Sequence, residues 1–251
     1  MADYELHPEV VWVARPDASS RLLHLDGNTC GLDAGSTSLL HAILQHGVER
    51  SSADLAARAA IPADDARHDV LAFVSDLRRQ RIVRASGARV SNAESLRTRA
   101  ARGFVALGVL ACGAGARRRT WRAWGLLLAA RSSIALFGWA KTRAAWERAF
   151  PPPVGGNPPD RAGLTRTIDD IVRAVASRSL LHHQCKERAL ACLALVREAG
   201  IGAELIIGLA YTPLRAHVWV EAEGRVISDD PEHCRAFEPI PLDNRVTPPV
   251  R

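Results

Sequence analysis

The sequence predicts an α+β fold organised in two domains. Three strand-like segments rich in Val, Leu and Trp precede three helix-like segments within the first 86 residues. An Ala-rich helical stretch then leads to a second region, where an apolar-periodic helix precedes further strands. A chain of 251 residues can form one large or two small hydrophobic cores. We therefore expect a small domain over 1–86, a linker over 87–99 and a larger domain over 100–251.

The first domain is predicted as three strands followed by three helices. The expected strands cover 9–15, 21–26 and 29–32, and Asp26-Gly27-Asn28 forms the turn between the last two. The first expected helix has its N-cap within 36–38 and runs to Gln45. The second covers 53–60 after a cap at Ser51 or Ser52, and the third runs from Asp64 to about residue 79. Units of this kind overlap with winged-helix folds.

The second region is predicted to be helical before it becomes strand-rich. A polar stretch over 86–99 has the composition of a linker, and helical sequence extends from about 96 to 150. The Pro-rich run 151–159 interrupts it, either as a domain linker or as a loop inside the second domain. Helical periodicity resumes over 165–177 and 189–196, and 203–209 has the pattern of an apolar strand.

Cys185, His217 and Asp229 form the candidate catalytic group. Cys185 falls in the first turn of the helix predicted over 189–196, where unpaired N–H groups and the helix dipole favour a thiolate. A His and an acid follow on two consecutive predicted strands. Because the thiolate is the nucleophile, a nearby base is needed to lower the pKa of the thiol. This order of residues predicts a Cys-His-Asp site for acyl transfer.

A turn argument selects the acid. A two-residue Glu223-Gly224 turn would require positive φ at Glu223, whereas a three-residue loop over 222–224 requires it only at Gly224. The longer loop pairs Glu221 with Arg225 and Trp219 with Ile227, and so places His217 opposite Asp229. The other register would place Asp230 opposite His217, and Asp230 is therefore the alternative acid.

The remaining thiols and histidines have simpler interpretations. Cys192 is expected to be a buried core residue, and Cys30, Cys112 and Cys234 belong to no chemical motif. His182, His183, Cys185 and His217 are zinc-ligand types, but their spacing matches no standard zinc motif. The sequence therefore predicts neither a metal nor a cofactor at the site.

Composition restricts the environment and the partners. The formal charge of +6 favours an acidic partner, but Arg117-Arg118-Arg119 is interpreted as a solvated helix face, and no nucleic-acid partner is expected. Five cysteines without a C-x-x-C pair favour a reducing cytoplasm. No apolar stretch is long enough to span a bilayer, although the Trp- and Arg-rich helical region is compatible with peripheral membrane association.

Two parts of the chain resemble the fused B protein of lasso peptide biosynthesis. Residues 9–86, with the strand pair L-L-H-L-D-G-N-T-C-G-L-D, resemble a PqqD-like recognition element, a winged-helix-like domain that binds the leaders of ribosomally made peptides. The segments C-K-E-R-A-L-A from Cys185, G-I-G-A-E-L-I-I-G from Gly200 and H-V-W-V-E from His217 resemble a transglutaminase-like, papain-like cysteine protease domain. Lys186-Glu187 and Ser228 depart from residues common in that family.

The resemblance implies a leader peptidase that needs no cofactor. Its partners would be the leader of a precursor peptide and an ATP-using cyclase similar to asparagine synthetase. Cys185 would attack, His217 would act as base, Asp229 would orient the imidazole, and Gln184 could assist the oxyanion. The leader would add to the third strand beside the third helix, which implies these leader-binding residues: Thr29, Cys30, Leu32, Arg67, Val70, Phe73, Val74 and Leu77. A transglutaminase-type acyltransferase and a non-catalytic, basic nucleic-acid-binding protein are the alternatives.

Overall fold

The computed structural model describes residues 3–25, 28–86, 92–110, 116–154, 160–211 and 214–240. The chain divides into two compact units, one running to Ser91 and the other beginning at Asn92. Three expected features lie at least partly outside the described residues: the turn at Asp26-Gly27, residues 87–91 of the linker and residues 155–159 of the Pro-rich run. Residues 92–99, also expected in the linker, are helical instead.

The first unit contains the predicted strands and helices together with a short strand pair that the sequence did not indicate. Strands β2, β3 and β4 form an antiparallel sheet in that order, so β4 is an edge strand, and β1 pairs with β5. The elements are β1 (Tyr4–Leu6), β2 (Val10–Ala14), β3 (Ser20–His24), β4 (Thr29–Leu32), α1 (Ala34–His46), α2 (Val48–Ala59), α3 (Ala63–Arg79) and β5 (Val83–Ala85).

The starts of α1 and α2 differ from the prediction. Asp33 caps α1 by accepting a hydrogen bond from the Ser36 N–H at 2.7 Å, so the cap is an earlier residue than the Ser/Thr run. Helix α2 begins directly after Gly47, whose φ of 84° is easily adopted by glycine. Ser51 and Ser52, the predicted caps, lie inside α2, and each donates its hydroxyl to the carbonyl oxygen four residues earlier.

One hydrophobic core holds the first unit together. It joins apolar side chains from the sheet to those from all three helices and from β5. Its buried members are Val10, Leu22, Leu32, Leu40, Ile43, Val48, Val70, Val74, Leu77, Ile82 and Val83. Burial on this scale is the main source of stability for a domain of this size.

In the second unit, helices precede an antiparallel sheet whose strand order is β8-β7-β6-β9. None of the helices in the described parts of the chain is long and apolar enough to cross a membrane. The elements are α4 (Asn92–Leu110), α5 (Ala116–Phe137), α6 (Trp139–Ala149), α7 (Arg161–Arg178), α8 (Cys185–Glu198), β6 (Ala203–Tyr211), β7 (Leu214–Ala222), β8 (Arg225–Ile227), α9 (Pro231–Cys234) and β9 (Glu238–Ile240).

Helix α8 is the central element of the second unit. Every residue from Ala189 to Val196 is buried, because α5 and α7 pack on the helix together with β6 and β7. Trp146 of α6 adds a buried hydrogen bond from its Nε1 to the Leu190 carbonyl at 2.9 Å. The first residue of α8, Cys185, is only half-buried. The packing therefore fixes a thiol at the accessible end of an otherwise enclosed helix.

Candidate active site

Cys185 occupies the first position of α8. The preceding Gln184 is the N-cap residue; it has an extended backbone, and its side chain makes no capping hydrogen bond. The amide groups of this first turn have no acceptor within the helix, and the helix dipole stabilises negative charge there. The Val218 N–H of β7 also donates to Cys185 Sγ. The thiolate is therefore stabilised by the start of α8 and by one backbone donor from β7.

The short length of β8 explains why Val218 can donate to the thiol. Two residues along β7, the Val220 N–H points toward β8 and donates to Ser228 Oγ at 3.2 Å. Because alternate residues of a strand direct their N–H groups to the same side, the Val218 N–H also points toward this edge. Strand β8 pairs with β7 only from Val220 to Ala222. The edge of β7 at Val218 is thus left for Cys185.

His217 lies on β7 inside an aromatic wall. Its ring stacks on Trp219 with a centroid separation of 6.0 Å, and the rings of Phe237 and His233 each lie 4.9 Å away. Gly208 is the partner of His217 across the β6–β7 pair. A Cβ atom at Gly208 would lie 2.6 Å from the Trp219 ring, so this position requires glycine for the wall to pack. The wall restricts the rotation of the imidazole.

Asp229 lies directly against the imidazole. Its Oδ2 is 2.9 Å from His217 Nε2, a hydrogen-bond length with poor alignment that is best described as an ion pair. The same oxygen accepts a hydrogen bond from Arg188 Nη2 at 2.9 Å, and Oδ1 accepts one from the Asp230 N–H at 2.8 Å. With Nε2 facing the acid, Nδ1 is the nitrogen left for the hydrogen bond between His217 and Cys185.

Residues from α7 hold the segment that carries the acid. Arg173 donates to the carbonyl oxygen of Asp229, and its Nε also donates to Asp169 Oδ2 at 3.0 Å. The other oxygen of Asp169 accepts the Ser228 N–H at 2.9 Å. Sequence reasoning missed Asp169, Arg173 and Arg188, although the spacing of Arg188 three residues after Cys185 places both on one helix face.

The predicted register of β7 and β8 is wrong. The structure pairs Ala222 with Arg225 through a two-residue turn, because Glu223 does adopt positive φ, at 53°, next to Gly224 at 72°. Continued pairing would have placed Asp230 opposite His217. The strand instead ends at Ile227, and Ser228 has a φ of 72°. This left-handed residue redirects the chain so that Asp229 reaches the imidazole.

Asp230, the alternative acid, has a different place in the structure. It is the N-cap of α9, and its Oδ1 accepts a hydrogen bond from the Glu232 N–H at 3.0 Å. Its side chain is exposed, whereas Asp229 is 9% exposed and His217 is 7% exposed. The structure thus brings Cys185, His217 and Asp229 together and gives Asp230 a capping role.

The electrostatics of the site favour a thiolate–imidazolium pair. Burial would raise the pKa of Cys185, but the hydrogen bond and charge of His217 outweigh burial and hold this pKa below its usual value. Burial would lower the pKa of His217, but Asp229 and Cys185 together raise it to about 9. Burial opposes the charge of Asp229 as well, yet the contacts with His217, the Asp230 N–H and Arg188 lower its pKa.

The other described cysteines lack this environment. Burial raises the pKa of Cys192 far above its usual value, and the side chain is fully enclosed. Burial and the nearby charges of Asp229 and Asp230 raise the pKa of Cys234 to about 12. Burial raises the pKa of Cys30 as well. Cys112 lies outside the described residues.

The zinc-type residues near Cys185 do not converge. His182 is exposed, and its carbonyl oxygen accepts a hydrogen bond from Arg131. His183 is buried, and its Nε2 lies 3.1 Å from Ser179 Oγ. Within the part of the chain that the structure describes, His182, His183, Cys185 and His217 form no group of converging ligands.

The predicted leader-binding residues separate into two groups. Four of them are core residues at 0–8% exposure, because the apolar faces of β4 and α3 pack inward. The structure thereby corrects the assignment of these four to a groove surface: Leu32, Val70, Val74 and Leu77. The other four are accessible. Thr29 and Arg67 are exposed, Cys30 and Phe73 are half-buried, and Arg67 pairs with Glu49 at 2.8 Å.

Two protein families match separate parts of the chain. Residues 124–241 match the family described as the transglutaminase-like superfamily, and residues 20–83 match the one described as coenzyme PQQ synthesis protein D (PqqD). No curated protein and no solved structure matches the chain. The two family matches confirm the predicted α+β fold class and the resemblance to the fused lasso B architecture, in which a PqqD-type recognition element precedes a transglutaminase-like domain.

Proposed function

We propose that this protein is the leader peptidase of a lasso peptide pathway. A PqqD-type domain and a transglutaminase-like domain on one chain place the protein in the biosynthesis of a ribosomally made, modified peptide. The observation that favours leader cleavage is the assembly of Cys185, His217 and Asp229 at the head of α8. A cytoplasmic location, where thiols stay reduced, suits this chemistry.

The first half of the reaction releases the core peptide. The Cys185 proton moves to His217 Nδ1, and the thiolate attacks the carbonyl carbon of the last leader residue. The resulting oxyanion is stabilised by the Cys185 N–H, with Gln184 as a second donor because its side chain is exposed and not used as a cap. His217 then gives its proton to the departing amine of the core, which leaves the leader bound as a thioester.

The second half restores the enzyme. His217 takes a proton from a water molecule, the resulting hydroxide attacks the thioester, and the Cys185 thiolate leaves as the leader carboxylate forms. Asp229 keeps Nε2 of the imidazole protonated and directed toward itself, so that Nδ1 exchanges protons with the thiol and water. An ATP-using cyclase similar to asparagine synthetase is the proposed partner that consumes the released core.

The outer edge of β4, which pairs with no other strand in the described part of the chain, is the proposed docking site for the leader. The His24 N–H donates to the Asn28 carbonyl at 2.8 Å, so Asn28 belongs to a hydrogen-bonded pair of the β3–β4 ladder. Because such pairs alternate with non-bonded ones, the N–H groups of Cys30 and Leu32 point toward β3, and those of Thr29 and Gly31 point outward. An extended leader could add to this edge as a further strand.

Two domains on one chain suit a peptidase whose cleft needs little selectivity of its own. Main-chain pairing at β4 would hold the leader, and the tether would raise its concentration near the thiol without further contacts. Thr29, Cys30, Phe73 and Arg67 are the accessible candidates for specificity. For Arg67 to bind the leader, its guanidinium must leave the ion pair with Glu49 and pair with an acidic side chain of the leader.

Cleavage of a lasso precursor peptide, sought among the reading frames next to the gene, tests the proposal. Full-length protein is incubated with the precursor in ¹⁸O-labelled water, and the products are analysed by mass spectrometry. Hydrolysis places one ¹⁸O atom on the new C-terminus of the leader, and the Cys185→Ala variant gives no product. Added lysine amines distinguish the alternative, because a transglutaminase-type reaction would yield an unlabelled leader amide. If the wild-type protein yields neither the labelled leader nor the leader amide, the proposed activity is refuted.

A further inference from the structure

We propose that the first unit contains a divalent metal site formed by His7, Glu9 and His24. The inference is independent of the proposed peptidase activity and concerns residues at the start of β2 and the end of β3, which that activity does not use. Each of the three residues offers one ligand atom, and the three atoms lie within 4.8 Å of one another. Two imidazoles and one carboxylate are a ligand set typical of zinc and its neighbours in the transition series.

The spacing needs little adjustment. Three atoms separated by no more than 4.8 Å all lie within about 2.8 Å of a common point, about 0.7 Å beyond the usual distance of roughly 2.0–2.1 Å between zinc and nitrogen. His24 Nε2 is 3.9 Å from Glu9 Oε2, and the rings of His7 and His24 have centroids 5.2 Å apart. Small side-chain rotations would bring the three atoms to a shared ion.

The backbone holds the three residues in place. The His7 N–H donates to the Ile82 carbonyl at 2.8 Å, which fixes the connection between β1 and β2. The Glu9 carbonyl accepts a hydrogen bond from the Leu25 N–H at 2.7 Å, and Val10 pairs directly with His24. A metal would therefore bind to a preformed arrangement, and only side-chain torsions would have to be ordered.

Burial makes this group unlike a chance surface cluster. His24 is 2% exposed and Glu9 is 9% exposed, so the fold keeps these two ligand side chains together and away from bulk water. A zinc ion would neutralise the carboxylate and use both imidazoles in their neutral form. His7 is half-buried and leaves a route for the ion and for a water molecule as fourth ligand. Bound metal would join the β1–β2 connection to the end of β3.

The experiment uses untagged full-length protein carrying Cys185→Ala, which removes the thiol most able to bind zinc elsewhere. Calorimetric titration with Zn²⁺ should show one site per chain. His7→Ala and Glu9→Gln, each added to Cys185→Ala, should weaken binding at least a hundredfold. His68→Ala is the matched control, because His68 is exposed on α3 and its loss should leave the affinity unchanged. Zinc should also raise the melting temperature of the parent and of the His68→Ala variant, but not of the other two.

Cobalt substitution identifies the ligands. Co²⁺ bound by two imidazoles and a carboxylate should give visible d–d bands without the ultraviolet charge-transfer band that thiolate ligands produce. Circular dichroism of the metal-free variants checks their folding, and His7→Gln replaces His7→Ala if the latter unfolds. The absence of stoichiometric binding, an affinity unchanged in folded His7 and Glu9 variants, or a thiolate band would each overturn the proposal.

Discussion

Replacing Asp229 by Asn should reduce cleavage far more than replacing Asp230 by Asn. The Asp229 carboxylate contacts both His217 and Arg188, whereas Asp230 caps α9 through the Glu232 N–H. Asn is as good a cap as Asp, so Asp230→Asn keeps the helix start intact. Asp229→Asn instead removes the charge next to the imidazolium and gives the side chain an amide that can donate to Nε2.

The size of the effect follows from the pKa of His217. Its rise from 6.5 to about 9 corresponds to roughly 3 kcal/mol in favour of the imidazolium, at about 1.4 kcal/mol for each tenfold change in the protonation equilibrium. Asp229 and Cys185 share this stabilisation, so losing half of it costs about tenfold in rate. The wrong imidazole tautomer costs about four orders of magnitude in a serine protease triad. We expect kcat/KM to fall between about 10- and 10⁴-fold, the limits set by these two effects.

Quantitative mass spectrometry of precursor cleavage measures both variants against the wild type. Asp230→Asn should retain cleavage within about twofold, and Asp230→Ala should lose roughly 1 kcal/mol of stability without a comparable loss of activity. Thermal melts show that each protein is folded. A larger loss in Asp230→Asn than in Asp229→Asn would mean that the acid is assigned to the wrong residue and that the contacts around His217 have been misread.

Three further predictions concern the thiol, the ion pair and the leader edge. Cys185→Ala should abolish cleavage, while leader binding measured by fluorescence anisotropy persists. Cys192→Ala is the control, because this enclosed thiol should be replaceable without loss of cleavage. An active Cys185→Ala variant would exclude the thiol mechanism. Iodoacetamide should alkylate Cys185 at a lower pH than it alkylates an ordinary thiol, because His217 lowers the pKa of Cys185. The pKa of His217 is raised to about 9, so the imidazolium should be lost above that pH. His217→Ala should shift the alkylation profile to that of an ordinary thiol, and an unchanged profile would exclude the ion pair. Thr29→Pro should weaken leader binding without loss of fold, whereas Leu32→Pro should lower the melting temperature because it removes a hydrogen bond of the β3–β4 ladder. Equal leader affinity in folded Thr29→Pro would exclude pairing at this edge.

The elements that carry the thiol and the histidine could be predicted because local signals and burial agree. Apolar residues recur through 189–196, and no Gly or Pro separates them from Cys185, so the helix and its first turn can be predicted. The strand containing His217 can be located from its run of β-branched and aromatic residues, Val218-Trp219-Val220, and Gly224 marks its turn. These features depend on neighbours in sequence, which is the information that a single chain provides most directly.

The leader-binding residues could be predicted less well than the catalytic ones for a geometric reason. Val70, Val74 and Leu77 lie on the apolar stripe of an amphipathic helix, and such a stripe indicates either a core or a docking surface. Only the packing of α3 against the rest of the unit decides between them, and it places all three in the core. The accessible candidates Thr29 and Arg67 carry no periodic signal, so sequence alone cannot select them.

The sequence predicts Asp229 as the acid through a β7–β8 register that the structure does not have. Asp229 nevertheless reaches His217 because the backbone bends at Ser228. A positive φ is uncommon at residues other than glycine, and no local sequence pattern predicts it at Glu223 or Ser228. At Ser228 the strained backbone is held by the hydrogen bond from its N–H to Asp169 and by the one that its hydroxyl accepts from the Val220 N–H. The bend ends the pairing of β8, which leaves the Val218 N–H free to reach Cys185 and turns Asp229 toward His217. One left-handed residue thus positions both the backbone donor to the thiol and the acid behind the imidazole.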